Sequence, residues 1–372
     1  MPKRNNGDGT ISHYEGRTKP WRVQTSARDG RKRQTKYFNT KSEAATWLRQ
    51  ISASQDAGTA VEPSRLTLNA WLDTWLNSYV KPSVRQKTLE GYESIIRCHI
   101  TNTIGDMPLQ SIMPADVQSL LNNRAEAQLS SRTLTYILST LRPAFKQAIN
   151  DGLIIRNPAD AVKLPKTVKA TKAKRALTPE EIQAIYTHAE PRLLIALTLM
   201  AQAGLRVGEA LGIQWDDIDI NKRELHVKRA ISQLSTGRVL DKPKTPESVR
   251  IIPISHLLFE VLNQWRSQQA EERLISGAMW RDDLRTVCTM PLGNRMRQEW
   301  ISGKLNSICK ELNIKGCTPH VFRHTFASNL MLAGVDIKTA QELMGHASPR
   351  MILEVYAHSS EDAKRKAIEK MG

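Results

Sequence analysis

The most informative stretch of this chain reads His320-Val-Phe-Arg323-His324-Thr-Phe-Ala-Ser328, and it is followed by Leu343-Met-Gly345-His346 and by Tyr356. His320 and Arg323 are three positions apart, so they share one face of a predicted helix. Cationic and proton-handling side chains thus precede a single tyrosine. Because protein cations can offset the charge on a transferring phosphoryl group, this pattern predicts that the tyrosine attacks a phosphodiester.

A metal-dependent alternative is disfavoured by the same stretch. His324 lies four positions after His320, which is also the spacing of two zinc ligands on one helix. The zinc-protease motif requires glutamate directly after the first histidine, however, and Val321 occupies that position. The sequence suggests no third ligand and no Gly-x-x-x-x-Gly-Lys-Ser/Thr nucleotide motif. We therefore expect neither a metal nor another cofactor.

A second motif lies earlier, in Gly204-Leu-Arg206-Val-Gly-Glu209. An arginine at a helix start, beside a glycine that permits close backbone approach, suits a phosphate group. Glu209 lies three residues further along the predicted helix and could orient Arg206. Taken alone, this pair is better explained by an ordinary intramolecular salt bridge.

A third motif reads Pro243-Lys244-Thr-Pro-Glu-Ser-Val-Arg250 and is expected to be a turn that leads into a strand. A lysine at such a hairpin tip could reach a groove and donate a proton, although a solvated surface lysine is the simpler explanation. Lys242 lies only two positions away, so the choice between Lys242 and Lys244 stays open.

Composition indicates the class of partner. The 372 residues include 54 Lys and Arg against 37 Asp and Glu, a formal net charge of +17, with 40% hydrophobic residues. This surplus favours a polyanion, either nucleic acid or an anionic membrane surface. Nucleic acid is favoured because no run approaches the ~18 apolar residues of a membrane span and the N-terminus lacks a signal-peptide core. The four cysteines have no Cys-x-x-Cys spacing, so we expect reduced thiols in a cytoplasmic protein.

Residues 1–60 predict a small basic domain, with 12 Lys and Arg against 5 Asp and Glu. Strands are expected at residues 10–14, 21–27 and 33–38, with a turn at Asp29-Gly30. A capping box, Thr40-Lys-Ser-Glu43, opens a helix that runs to about Ser54. The sheet carries Trp21 and Tyr37 among its cations, which suits contact with DNA, although a solvated basic face is the alternative. The candidate contacts are Arg22, Arg33 and Lys36.

The rest of the chain divides into three further segments. Within residues 64–160, the apolar spacing predicts helices at 68–76, 88–100, 114–122 and 131–151, and hence an all-α domain. Residues 161–175 are rich in lysine and contain no acid, which is typical of a linker. A capping box at Thr178-Pro-Glu-Glu181 then opens a mixed domain at 176–372, mainly helical with short strands near 224–227, 230–234 and 249–253. The linker lysines that could cross a phosphate backbone are Lys166, Lys169 and Lys172.

Together the three motifs resemble the tyrosine recombinase family, the site-specific integrases of phages and mobile elements. That family shows Arg-x-Gly-Glu, a β-hairpin lysine, His-x-x-Arg, a histidine or tryptophan in a Gly-His setting and a C-terminal tyrosine, in this order. The resemblance implies a multidomain α+β fold: an arm-type DNA-binding domain at 1–60, a helical core-type DNA-binding domain at 64–160, and a mainly α catalytic domain with a small sheet. The matching residues are Arg206, Lys244, His320, Arg323, His346 and Tyr356.

The resemblance also implies a role for each residue. Tyr356 would attack the scissile phosphate and form a 3′-phosphotyrosyl link, while Arg206 and Arg323 grip the non-bridging oxygens. Lys244 would protonate the leaving 5′-oxygen, a general-acid role. His320 would accept the tyrosine proton or bind the phosphate, His346 would donate to a phosphate oxygen, and Glu209 would support the site.

The same resemblance implies double-stranded DNA attachment sites as substrate, a homotetramer on that DNA, and an accessory DNA-bending or excision-directing protein. The protein would act in the cytoplasm of a bacterial host, integrating and excising a phage or mobile element. Two alternatives stay open from the sequence: a type IB topoisomerase-like enzyme, and a catalytically silent DNA-binding regulator.

Overall fold

The computed structural model describes residues 9–25, 33–56, 64–166, 175–234, 237–241, 248–282 and 284–345. The chain forms two compact units, Met1–Thr171 and Lys172–Gly372. Among the described residues, no helix has both the length and the apolar character that crossing a bilayer requires.

The first unit begins with a three-stranded antiparallel sheet in the order β1-β2-β3, formed by β1 Thr10–His13, β2 Trp21–Gln24 and β3 Thr35–Phe38. Helix α1, Lys41–Asp56, covers one face of this sheet, where Val23 and Ala44 are fully buried. The predicted capping box is present, since the Glu43 N–H donates to the Thr40 hydroxyl at 3.2 Å. Strand β2 ends before the predicted residue 27, and the turn at residues 29–30 lies outside the described residues.

The remainder of the first unit is helical, as predicted. Helix α2 spans Leu68–Trp75 and continues as a π-helical turn, Leu76–Val80; α3 spans Gln86–Ile95 and continues likewise through Ile96–Ile100. Helix α4 is Pro114–Glu126, four residues longer than predicted, and α5 is Ser131–Asn150. The apolar stripe of α5 forms the centre of the core, where the indole N–H of Trp71 donates to the Ala144 carbonyl at 3.0 Å.

The second unit has a helical core flanked by short strands. Its helices are α6 Pro179–His188, α7 Pro191–Gln202, α8 Val207–Gly212, α9 His256–Ser276, α10 Gln298–Glu311, α11 Pro319–Leu332 and α12 Ile337–Met344. Its strands are β4 Ile218–Asp219, β5 Glu224–Val227, β6 Ala230–Leu234, β7 Gly237–Asp241 and β8 Arg250–Pro253. Helix α7 is almost wholly buried and packs against α9 and α11. Its burial explains why the sequence of α7 is apolar on every side.

The strands of the second unit form two antiparallel sheets, β4-β5-β8 and the hairpin β6-β7. The sequence predicted β5, β6 and β8 but neither β4 nor β7. Helix α8 lies directly on β6, because a Cβ at Gly208 would be 2.6 Å from the Ile231 carbonyl oxygen. Glycine at this position therefore allows the helix that follows Arg206 to contact the hairpin.

We expect the Ser130 cap to stabilise α5 measurably. Its hydroxyl accepts a hydrogen bond from the Thr133 N–H at 3.2 Å. Replacing Ser130 with alanine should lower the free energy of opening of α5 by about 0.5–2 kcal/mol, measured by amide hydrogen exchange of the full-length protein. Ser139→Ala is the matched control, because Ser139 lies exposed within the same helix. Equal effects of the two substitutions would contradict the capping role.

Candidate active site

Helix α11 carries His320 and Arg323 of the His-x-x-Arg motif. It begins after Thr318, with Pro319 at its first position, as predicted. His320 is exposed in the first turn, whereas Arg323 is 1% exposed one turn later. The buried guanidinium donates to the carbonyl oxygens of Gly204 and Met344. The helix thus directs a cation into the protein just beneath an exposed histidine.

Arg206 and Glu209 come together at the start of α8. Arg206 is the residue that caps this helix, and Glu209 accepts from both its backbone N–H at 2.9 Å and its guanidinium at 2.7 Å. The Arg206 side chain is 41% exposed, and the Glu209 side chain is 3% exposed. One buried carboxylate therefore fixes the orientation of an arginine whose other side faces solvent.

A third arginine, Arg250, joins this pair and was missed by the sequence analysis. Its guanidinium donates to the Glu209 carboxylate at 3.1 Å, and the Arg323 guanidinium lies 3.7 Å from the same oxygen. The alternation of side chains along β8 could have identified Arg250 from the sequence. Arg250 and Ile252 are two positions apart, so they lie on the same side of the strand, and Ile252 is buried. A cation on the buried side of a strand requires a buried partner.

The three arginines also bind three consecutive carbonyl groups at the end of α12. Arg250 donates to Leu343 at 2.7 Å, Arg323 to Met344 at 2.5 Å and Arg206 to Gly345 at 3.1 Å. The last carbonyls of a helix lack partners within the helix and carry the negative end of its dipole. We call Arg206, Glu209, Arg250 and Arg323 the arginine cluster.

Gly345 ends α12 in the left-handed conformation, with φ of 58°. A Cβ at this position would lie 2.8 Å from a guanidinium nitrogen of Arg250. Both the backbone conformation and the close approach of Arg250 therefore require glycine here. These two requirements explain why glycine precedes His346.

The arginine cluster carries excess positive charge. Burial alone would raise the pKa of the Glu209 carboxyl, but the attraction of Arg250 and Arg323, with the Arg206 N–H, holds this pKa below its ordinary value. Burial lowers the pKa of Arg323, and the neighbouring Arg206 and Arg250 add to this effect while Glu209 opposes it. Three guanidiniums share one carboxylate, so an added anion would relieve their repulsion.

Three of the predicted catalytic residues lie outside the described residues. Lys244, with its neighbour Lys242, falls in residues 242–247, between β7 and Ser248. His346 and Tyr356 follow Gly345. The described residues that flank both segments contact the arginine cluster, since Arg250 donates to the Ser248 carbonyl at 3.0 Å and Arg206 to that of Gly345. Across the described ranges, no three potential ligands come together to hold a metal ion.

The predicted DNA contacts of the first unit are divided between two faces of the sheet. Arg22 pairs with Tyr37 across β2 and β3, on the face opposite α1, and donates to the Tyr14 hydroxyl at 3.1 Å. Lys36 lies on the other face, where its ammonium is 5.9 Å from the Trp47 ring of α1. The sequence analysis did not assign these candidates to a face, and the alternation of β2 and β3 places Arg22 and Lys36 on opposite sides of the sheet.

Two further candidates from this group, Arg33 and Lys166, are exposed. Lys169 and Lys172 fall outside the described residues. The structure adds Arg17, which sequence analysis missed: its guanidinium lies 5.5 Å from the Tyr14 ring centroid and 5.6 Å from that of Tyr37. Arg17 and the two tyrosine rings therefore form a surface on the open face of the sheet. Its rings can stack on a polyanion, and its cation can pair with one.

Comparison with known proteins identifies the family. Residues 175–363 match the phage integrase family, and residues 67–123 match the phage integrase N-terminal SAM-like domain. The chain is 30% identical over 353 residues to a tyrosine recombinase XerC-like protein of Caldanaerobacter subterraneus, covering 90% of each. It is 29% identical to the ICEBs1 integrase of Bacillus subtilis, covering 74% of this chain and 75% of that protein.

Solved structures agree with this fold. The Tn1549 transposon integrase in complex with circular intermediate DNA superposes with a TM-score of 0.70 at 24% identity, over 82% of this chain and 100% of that one. A lambda integrase dimer bound to a core site gives 0.59 at 26% identity, over 78% of this chain and 95% of that one.

The chain therefore belongs to the phage integrase family. It is a tyrosine recombinase, an enzyme that cleaves and rejoins DNA at specific sites, as the resemblance implied. The multidomain α+β fold is confirmed as well.

We expect Glu209→Gln to destabilise the second unit by about 3–5 kcal/mol at pH 7, because three buried or half-buried guanidiniums lose their shared counter-charge. The folded pKa of Glu209 is lowered, so its contribution is complete above the ordinary value of 4.5 and is lost as the pH falls below it. The difference between wild type and Glu209→Gln should therefore shrink below pH 4.5, as measured by urea denaturation across the pH range.

Glu271→Gln is the matched control, since Glu271 is exposed on α9. It should leave the free energy of unfolding nearly unchanged at every pH. A Glu209→Gln protein as stable as wild type at pH 7 would show that the arginine cluster does not depend on its carboxylate.

Proposed function

We propose that the arginine cluster is the binding site of the scissile phosphate and that Tyr356 is the nucleophile of this integrase. The observation that carries the proposal is the sharing of one buried carboxylate by three guanidiniums, 2.7, 3.1 and 3.7 Å away. Glu209 neutralises one of the three positive charges, so two remain. A phosphodiester in the transition state supplies the missing negative charge.

The three arginines take different parts in this site. Arg206 presents the half-exposed guanidinium, which is planar and can bind two phosphate oxygens at once. Arg323 lies beneath it and adds charge in a region shielded from water, where electrostatic interactions are stronger. Loss of either should cost on the order of 3–4 kcal/mol of transition-state stabilisation, as for a donor in an oxyanion hole.

We propose the following reaction at this site. The Tyr356 oxygen attacks phosphorus, the bond to the 5′-oxygen breaks, and a 3′-phosphotyrosyl link forms. His320, exposed above Arg323, accepts the tyrosine proton, while Lys244 gives a proton to the leaving oxygen. His346 donates to a phosphate oxygen. The covalent link conserves the energy of the phosphodiester, so rejoining needs neither ATP nor a metal.

Double-stranded attachment-site DNA is the proposed substrate. Support comes from the net charge of +17 and from relatives solved with DNA, among them a lambda integrase tetramer bound to a Holliday junction. We propose that this chain also acts as a homotetramer on DNA. The site of action is the cytoplasm of a bacterial cell, which agrees with the bacterial source of relatives such as the Bacillus subtilis ICEBs1 integrase.

The first unit supplies two DNA-binding surfaces in this proposal. Residues 1–60 act as the arm-type domain through the open sheet face that carries Tyr14, Arg17, Arg22 and Tyr37. Residues 64–160 act as the core-type domain, and the basic segment 161–175 crosses the phosphate backbone. Residues 176–372 carry the catalytic site.

Covalent trapping tests the nucleophile. The probe is a nicked duplex that carries the site protected by wild-type protein in footprinting. Wild type should give an SDS-stable protein–DNA adduct, and Tyr356→Phe should give none while it still binds the duplex. Tyr186→Phe is the control, because Tyr186 packs against the core of the second unit, and it should react like wild type. Binding without an adduct by wild type would favour the catalytically silent regulator instead.

A sulfur-substituted duplex tests which lysine is the general acid. A 5′-bridging sulfur leaves without a proton because its thiol is far more acidic than an alcohol, so it should restore cleavage to a variant that lacks the acid. Lys244→Ala should be restored by this duplex, whereas Lys242→Ala should not need it. If the sulfur-substituted duplex restores cleavage to Lys242→Ala and not to Lys244→Ala, then Lys242 is the general acid.

A further inference from the structure

Arg250 lies inside the arginine cluster, and no resemblance or comparison assigns it a role. We propose that Arg250 is a positioning residue for strand cleavage, which holds the carboxylate of Glu209 and the C-terminal end of α12 in one fixed arrangement. This proposal rests on the proposed function of the arginine cluster. It names a residue that acts through the catalytic groups without touching the DNA.

The contacts of Arg250 point inward. Its side chain is 6% exposed, against 41% for that of Arg206. The Nε group donates to the Leu343 carbonyl at 2.7 Å, one Nη group to the Ser248 carbonyl at 3.0 Å, and the other to Glu209 at 3.1 Å. All three nitrogens of the guanidinium are therefore engaged within the protein, which separates Arg250 from the arginine that faces solvent.

Each residue that accepts a hydrogen bond from Arg250 is close in sequence to, or in contact with, a different group proposed to take part in the reaction. Glu209 orients Arg206, which presents the exposed guanidinium. Leu343 lies three residues before His346, on the helix whose end leads to Tyr356. Ser248 directly follows residues 242–247, which contain Lys244. One guanidinium thus connects Glu209 of the phosphate site with Ser248 and Leu343, which lie close in sequence to the proposed general acid and to His346.

Only arginine among the side chains can make these three contacts together. Its planar guanidinium directs five N–H groups in fixed directions, whereas a lysine has one nitrogen on a flexible stem. Lysine at position 250 would keep a charge near Glu209 but would lose at least one of the two carbonyl contacts. The consequence is a displacement of α12 relative to α8, and a misplacement of about 1 Å is enough to slow a reaction by about 100-fold.

Arg250→Lys tests the proposal in single-turnover cleavage of the nicked duplex at saturating protein. We expect the rate constant of adduct formation to fall by about 10- to 100-fold. The dissociation constant for the same duplex should stay within about threefold of wild type, because no phosphate contact is removed. The final amount of adduct should stay close to that of wild type. A variant that merely folds poorly would instead lose final amount and keep its rate constant.

Arg192→Lys is the matched control. Arg192 makes a double contact with Glu272 at 2.6 and 3.0 Å, its side chain is 12% exposed, and it lies at the end of α7 remote from Gly204. It should lower stability by a similar amount and leave the rate constant unchanged. An equal fall of the rate constant in both variants, or none in Arg250→Lys, would overturn the positioning role.

Gly345→Ala crowds Arg250 without removing a charge, because its Cβ would lie 2.8 Å from the guanidinium, and it also strains the left-handed backbone at φ of 58°. We expect a similar fall of the rate constant with DNA affinity retained, which keeps the proposal testable if Arg250→Lys fails to fold. A wild-type rate constant in Gly345→Ala would contradict it. Failure of wild-type protein to form any adduct would reject the proposed function itself, whereas a wild-type adduct with unaffected variants would reject only the role of Arg250.

Discussion

The second unit depends on one electrostatic constraint: a single buried carboxylate, Glu209, is shared by three guanidiniums. Separate burial of these charges would be costly, and one carboxylate cannot neutralise all three. The end of α12 supplies the remaining partial negative charge through three consecutive carbonyl groups. The cluster keeps a net positive charge next to solvent, and a phosphate site requires this property.

The fold around this cluster is arranged to let backbones approach closely. Gly208 allows α8 to lie on β6, and Gly345 allows α12 to end against Arg250. Helices α8, α11 and α12 each bring one end to the cluster, so small shifts of any of them change the spacing of the arginines. Rigid packing of α7 against α9 and α11 opposes such shifts.

Local patterns in the sequence predicted those parts of the site whose partners are close along the chain. The helices with their capping boxes and the pair Arg206 and Glu209 depend on spacings of three or four residues. Arg250 could not be found this way, since its partner Glu209 is 41 residues distant along the chain and only the tertiary fold brings the two together. Strand β7 was missed for a similar reason, because its partner β6 supplies the hydrogen bonds that define it.

The most direct measurement of the central claim is cleavage of a duplex in which a methyl group replaces one non-bridging oxygen of the scissile phosphate. This change removes the negative charge that the arginine cluster is proposed to balance. The account predicts that Arg206→Ala, inactive on the ordinary phosphodiester, forms the Tyr356 adduct on the uncharged duplex. An Arg206→Ala protein that stays inactive on the uncharged duplex, while wild type cleaves it, would contradict the claim.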